Sequence, residues 1–250
     1  MKALLILLFA TCLFGQNIQS QHLSVIKKRV IAGGPCDGTL AFSGSPGSAE
    51  DFENSEGTFC TDSTSLIDAT SSISTYSTGQ AHTGTHAAYF DYAGDEASAS
   101  YIETHLMAAE DSYTLTFWAY PPSTIVSGNL CVFYEATPTT TPASNAAGRL
   151  IWRGTSNTDT RIYLYDYAGG SSQNVTLSDA QGAWLKFELQ VTRNDTIRAI
   201  ISDAGLTVLA TLKVASVDRA VEYFRFGDVD NDPDSRPFYI DGVQFNATNP

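Results

Sequence analysis

Residues Tyr113-Thr114-Leu115-Thr116-Phe117-Trp118-Ala119-Tyr120 change character at every second position and are stopped by Pro121-Pro122. A period of two marks a half-buried β-strand, and proline cannot donate to a strand ladder. Strand patterns recur over Asn129 to Ala136, Leu150-Ile151-Trp152, Arg161 to Tyr167, Trp184 to Thr192, Thr196 to Ser202, Leu206 to Lys213 and Glu222 to Gly227. Residues 61–80 are dominated by Ser and Thr and suggest short edge strands. No stretch of about eleven residues places apolar groups at helical spacing, although Val217 to Phe224 has room for one helical turn. About a dozen short strands with turn signals roughly every ten residues predict an all-β chain, a jelly-roll β-sandwich of two antiparallel sheets. One domain is expected over residues 36–250, with no internal repeat and no linker.

The segment ahead of that domain has a different composition. Lys2 and the apolar run Ala3 to Phe14 read as a signal peptide over residues 1–20, because the run is too short to span a bilayer. Residues 21–35 read as a leader or N-terminal arm, in which Lys27-Lys28-Arg29 is either a processing site or a solvated basic turn. Cleavage after Arg29 would leave ten basic residues against 27 acidic ones, a formal charge of −17. Such a charge repels nucleic acid and anionic membrane surfaces, and no second apolar run reaches membrane length. The expectation is a secreted, extracellular protein with no nucleic-acid partner and no membrane insertion. Three cysteines follow the signal. A Cys36–Cys60 disulfide would close a loop rich in Gly and Ser, leaving Cys131 as a thiol on an apolar strand.

Several landmarks fall in a recognisable order: Asp51-Phe52-Glu53 as an opening strand, Ala81-His82-Thr83-Gly84-Thr85-His86-Ala87-Ala88-Tyr89-Phe90 as a strand entry, Tyr113 to Trp118, Gly182-Ala183-Trp184-Leu185-Lys186-Phe187-Glu188, and Phe238 to Phe245 as a closing strand. Together they resemble the concanavalin A-like lectin/glucanase superfamily and its laminin G-like and MAM-like extracellular relatives. The resemblance implies a jelly roll, and a structural Ca²⁺ joining the first strand to the last through Glu53 and Asp241. It does not fix an activity, because this superfold carries lectins, hydrolases, lyases and adhesion modules.

Two groups of residues carry chemistry. Asp228, Asp230, Asp232 and Asp234 alternate in a loop ahead of Asp241, and carboxylate oxygens at this density suit Ca²⁺. The solvated-turn reading of the same residues rests on the turn preference of Asp. The second group faces away from the core: Trp118 and Tyr120, then Arg161, Tyr163, Tyr165 and Tyr167, then Lys186 and Glu188. Aromatic rings take the CH faces of sugars, and planar polar groups take directed hydrogen bonds from hydroxyls. His82, His86 and His105 are candidate acid or base groups. Asn174, Asn194 and Asn246 open N-glycosylation acceptor sequences expected in loops or at strand ends.

The sequence therefore points to a secreted carbohydrate-binding or adhesion module with a structural calcium and a glycan or extracellular glycoprotein as partner. The alternatives are a jelly-roll polysaccharide lyase or glycoside hydrolase, and a self-assembling filament subunit. In the last, the β-branched pairs Val25-Ile26 and Val30-Ile31 in the arm add a strand to a neighbouring subunit. The calcium expectation is tested by chelation, which should lower the melting temperature of the purified protein. An unchanged thermal midpoint would remove the cation.

Overall fold

The strand expected at Tyr113 to Tyr120 forms over Ser112–Tyr120, and its side chains alternate between burial and partial exposure along the whole length. The computed structural model describes residues 47, 49–53, 57–58, 67–69, 74–90, 100–124, 126–138, 146–156, 159–166, 169–177, 180–216, 220–228 and 235–247. Cys36, Cys60, Tyr167, Asp230, Asp232, Asp234 and the whole leader lie outside them, as does the side chain of Asp228. No helix among the described residues is long and apolar enough to cross a membrane.

The described strands, in chain order, are β1 (Ala49–Glu50), β2 (Gly57–Thr58), β3 (Ile67–Ala69), β4 (Ser74–Ser77), β5 (Ala87–Phe90), β6 (Ser100–Glu110), β7 (Ser112–Tyr120) and β8 (Leu130–Thr137). They continue with β9 (Gly148–Gly154), β10 (Thr160–Asp166), β11 (Ser171–Thr176), β12 (Leu185–Thr192), β13 (Thr196–Ser202), β14 (Val208–Ala215), β15 (Val221–Asp228) and β16 (Phe238–Ala247). They build two antiparallel sheets, which makes the fold an all-β jelly-roll sandwich. The larger sheet has the order β14-β13-β12-β7-β16-β5-β4-β2, with β1 also pairing with β16. The smaller has the order β11-β10-β9-β8-β15-β6-β3. Strands far apart in sequence therefore neighbour each other, as β7 does β16 and β8 does β15.

The core lies between the sheets and is dominated by aromatic rings. From the larger sheet, Phe117 stacks on Phe187 with centroids 5.3 Å apart and meets Phe226 of the smaller sheet edge-on. Phe133 packs against both Phe187 and Phe238, and Phe238 stacks on Phe90. Each such ring contributes about 2 kcal/mol through the apolar area it removes from water. Tyr113 and Tyr134 are buried among these rings and hydrogen-bond each other through their hydroxyls. Burial pushes both hydroxyls well above the ordinary tyrosine range, so they stay protonated. The Cys131 thiol is buried and donates to the Arg236 carbonyl oxygen.

Three sequence expectations need correction. Asp51-Phe52-Glu53 is a turn after β1 rather than a strand, because Phe52 takes a left-handed φ of 59° while its ring joins the core. Val221 to Phe224 lies in a strand instead of a helical turn; residues 217–219 lie outside the described residues. Strand β11 has no counterpart in the sequence reading. It is an edge strand whose residues are polar apart from Val175, so it shows no apolar alternation.

The smaller sheet buries charge on its outer face. Phe224 and Phe226 enter the core, so Arg225 between them points away from it, yet it is only 2% exposed. Its Nη1 donates to Glu135 Oε1 at 3.2 Å, and Arg149 Nε lies 3.4 Å from Glu135 Oε2. Removing one partner of a buried ion pair leaves a desolvated charge and costs about 3–5 kcal/mol. Glu135→Ala should therefore lose about 3 kcal/mol in denaturant unfolding, and Glu135→Gln, which keeps an acceptor, less.

Candidate functional site

Because β7 sends Leu115, Phe117 and Ala119 into the core, Thr116, Trp118 and Tyr120 stand on the outer face of the larger sheet. Register decides their neighbours. Tyr120 pairs across with Tyr239, and Tyr239 with Tyr89. On the other side Ala119 pairs with Leu185, so Trp184 comes opposite Tyr120, one residue beyond the β7–β12 ladder. Tyr89, Tyr239, Tyr120 and Trp184 thus form one row perpendicular to the strands. Their centroid separations in that order are 4.6, 6.1 and 5.4 Å. At about 4.8 Å between strands the row is about 14 Å long. All four rings are partly exposed.

A second row lies beside it. Asp241 and Lys186 flank Trp118 across the strands, and Thr116 has Glu188 and Gln244 as partners. Gln190 Nε2 donates to Glu188 Oε1 at 2.6 Å, and Arg198 reaches Gln190 Oε1 at 3.4 Å. The face therefore sets rings beside a hydrogen-bonded polar ladder.

The loop before β5 closes over one end of this face, and carboxylates hold it there. Asp241 is fully buried and accepts the backbone N–H groups of His82, Thr83 and Gly242, at 2.9, 3.0 and 2.6 Å. Glu53 accepts the N–H groups of Thr85 and His86, both at 2.8 Å to Oε1, and the Thr85 hydroxyl at 3.0 Å to Oε2. Gly84 lies between the two pairs of amides. Its φ is +65°, and a Cβ there would come within 2.3 Å of the Glu53 carboxyl. No side chain fits that place. With the loop fixed, His82 stacks on Trp118 at 3.5 Å and 15°, and meets Trp184 edge-on at 5.7 Å. Burial lowers the His82 pKa, so its ring is neutral near pH 7.

The predicted site residues divide into separate groups. Trp118, Tyr120, Lys186 and Glu188 come together on the larger sheet. Arg161, Tyr163 and Tyr165 occupy the outer face of the smaller sheet, because Ile162 and Leu164 point into the core. They belong to a different surface. Glu53 and Asp241 are brought to the same loop, with the amides of residues 82–86 engaging both carboxylates. Among the described residues no three His, Cys, Asp or Glu side chains come together as a metal site. Asn194 lies in a turn, but Asn174 is inside β11 and Asn246 inside β16; all three are exposed. His86 sits against Glu53 and Thr85, and the His105 side chain lies outside the described residues. Sequence reasoning missed Trp184, Tyr239, Tyr89 and His82 as members of the aromatic face. Each is visible as an aromatic residue, but their common row depends on strand order.

Fold and site together define a two-sheet antiparallel sandwich with an aromatic row across its larger sheet. That fold is shared with the crystal structure of a botulinum neurotoxin serotype D binding domain, at a TM-score of 0.52 and 11% identity over 80% of this chain and 48% of that one. A structure described as the receptor binding domain of botulinum neurotoxin D gives a TM-score of 0.50 and 11% identity, covering 78% of this chain and 48% of that one. This chain spans about half the length of those domains, and at such identity the likeness is one of fold. No protein-family model and no curated protein matches the sequence.

The carboxylates set a pH dependence. Burial raises the Glu53 pKa, but the amides of His86 and Thr85 outweigh it, so the folded value lies below the ordinary 4.5. The stability it contributes is present above 4.5 and is lost as pH falls through the folded value. Asp241 behaves in the opposite sense. Burial raises its pKa from 3.8 despite three amide donors, so its contribution declines as pH rises through the interval above 3.8. Glu53→Gln should lower the melting temperature at pH 7, and its difference from wild type should shrink as pH falls below 4.5. Thermal melts of both proteins across pH 3–7 check this, and a difference constant with pH would contradict it.

Proposed function

We propose that this chain is a secreted glycan-binding module of the concanavalin A-like kind, recognising an extended saccharide on the outer face of its larger sheet. The observation that carries the reading is the row Tyr89–Tyr239–Tyr120–Trp184, four partly exposed rings across four neighbouring strands. Sugar rings bury their CH faces against such side chains, while Lys186, Glu188 and Gln190 offer donors and acceptors to hydroxyls. A row about 14 Å long favours a chain of several sugars over a single terminal residue. The fold's likeness to domains described as binding and receptor-binding supports a recognition role. Calcium belongs to this reading as a structural ion of the Asp228 to Asp234 loop.

A panel of neutral oligosaccharides followed by calorimetric titration tests the assignment. Each aromatic contact contributes about 1 kcal/mol, so Trp184→Ala and Tyr239→Ala should each weaken binding about fivefold. Affinity should rise with chain length until the row is filled. Binding that survives loss of both rings would reject this face as the site.

A further inference from the structure

The smaller sheet carries a feature that neutral-sugar recognition leaves unused. Arg153 of β9 and Arg161 of β10 are direct cross-strand partners, and both are exposed. Among the described residues neither has a hydrogen-bond or ion-pair partner. Like charges placed opposite each other on antiparallel strands repel. The chain has 27 acidic residues against 14 basic ones, so carboxylates are abundant, yet among the described residues none is paired with either arginine.

Beside the arginines, Tyr163 and Tyr165 stack at 5.6 Å and 11°, each partly exposed. Tyr163 follows Arg161 on the same face, and Tyr165 pairs across with Arg149. Guanidinium forks bind carboxylate and sulfate groups in a planar, bidentate manner. Rings next to them give a sugar its stacking surface.

We propose that this outer face of the smaller sheet is a second binding site, for an acidic polysaccharide whose carboxylate or sulfate groups are held between Arg153 and Arg161 while its sugar rings lie on Tyr163 and Tyr165. The anion removes the repulsion between the two guanidinium groups. Two opposed guanidinium groups in a face of otherwise few exposed charges among the described residues suit a polymer with one charge per sugar better than nucleic acid, whose affinity grows with many neutralised phosphates. The site is on the opposite face of the sandwich from the aromatic row and stands independently of it.

The test uses the full chain with four probes: polygalacturonate, dextran sulfate, neutral dextran and a single-stranded oligothymidylate. Wild type should bind at least one acidic polymer, more weakly as salt rises. The double variant Arg153→Gln/Arg161→Gln should lose that affinity at least tenfold, and in the absence of ligand should melt no lower than wild type. Tyr163→Ala should weaken binding too, whereas Trp184→Ala should leave it unchanged. Binding of polygalacturonate alone assigns carboxylate, and of dextran sulfate alone assigns sulfate. The proposal is overturned if wild type binds neither polymer, if oligothymidylate binds as tightly, if the double variant keeps its affinity, or if Trp184→Ala abolishes acidic-polymer binding as well.

Discussion

Core and aromatic face are two sides of the same strand. In β7 the odd positions Tyr113, Leu115, Phe117 and Ala119 enter the core, so the even positions Trp118 and Tyr120 have only the outer surface to occupy. A slip of one residue would exchange Phe117 for Trp118 and reverse every neighbouring position. The stacked rings Phe117 and Phe187 fix that register against β12. Positioning of the outer residues is thus a consequence of core packing.

The loop that closes over the face is held differently, by backbone amides directed at carboxylates. Asp241 and Glu53 come from opposite ends of the domain, and each takes two amides of the same short loop. Among the described residues the hydrogen-bond donors to buried Asp241 are the backbone amides of His82, Thr83 and Gly242, so its charge is offset by peptide dipoles. This ties the turn after β1 to the last strand and presses His82 onto Trp118. The link between the first turn and the last strand is made by backbone amides of residues 82, 83, 85 and 86.

The two outer faces have different character because their strands do. The larger sheet presents rings beside Lys186, Glu188 and Gln190. The smaller presents arginines, two of them buried around Glu135 and two exposed and opposed. A single aromatic platform joining Trp118 to Tyr163 is ruled out by topology, since β7 and β10 belong to different sheets.

The sequence by itself determined strand character and facing. Period-two alternation is local, so Phe117 inside and Trp118 outside are legible from Tyr113 to Tyr120 alone, as are Ile162 inside and Tyr163 outside. It misread segments where that signal is weak or overridden: polar β11, and Phe52, whose core contacts hold it in a left-handed turn. Only the tertiary structure decided which strands adjoin. Tyr89, Tyr120, Trp184 and Tyr239 are separated by as many as 150 residues of chain, and their alignment rests on hydrogen-bond ladders between strands distant in sequence. The same ladders separated the tyrosines of β10 from Trp118 and set Arg153 against Arg161. No local pattern encodes such pairings, because strand order depends on how all the apolar faces are buried together.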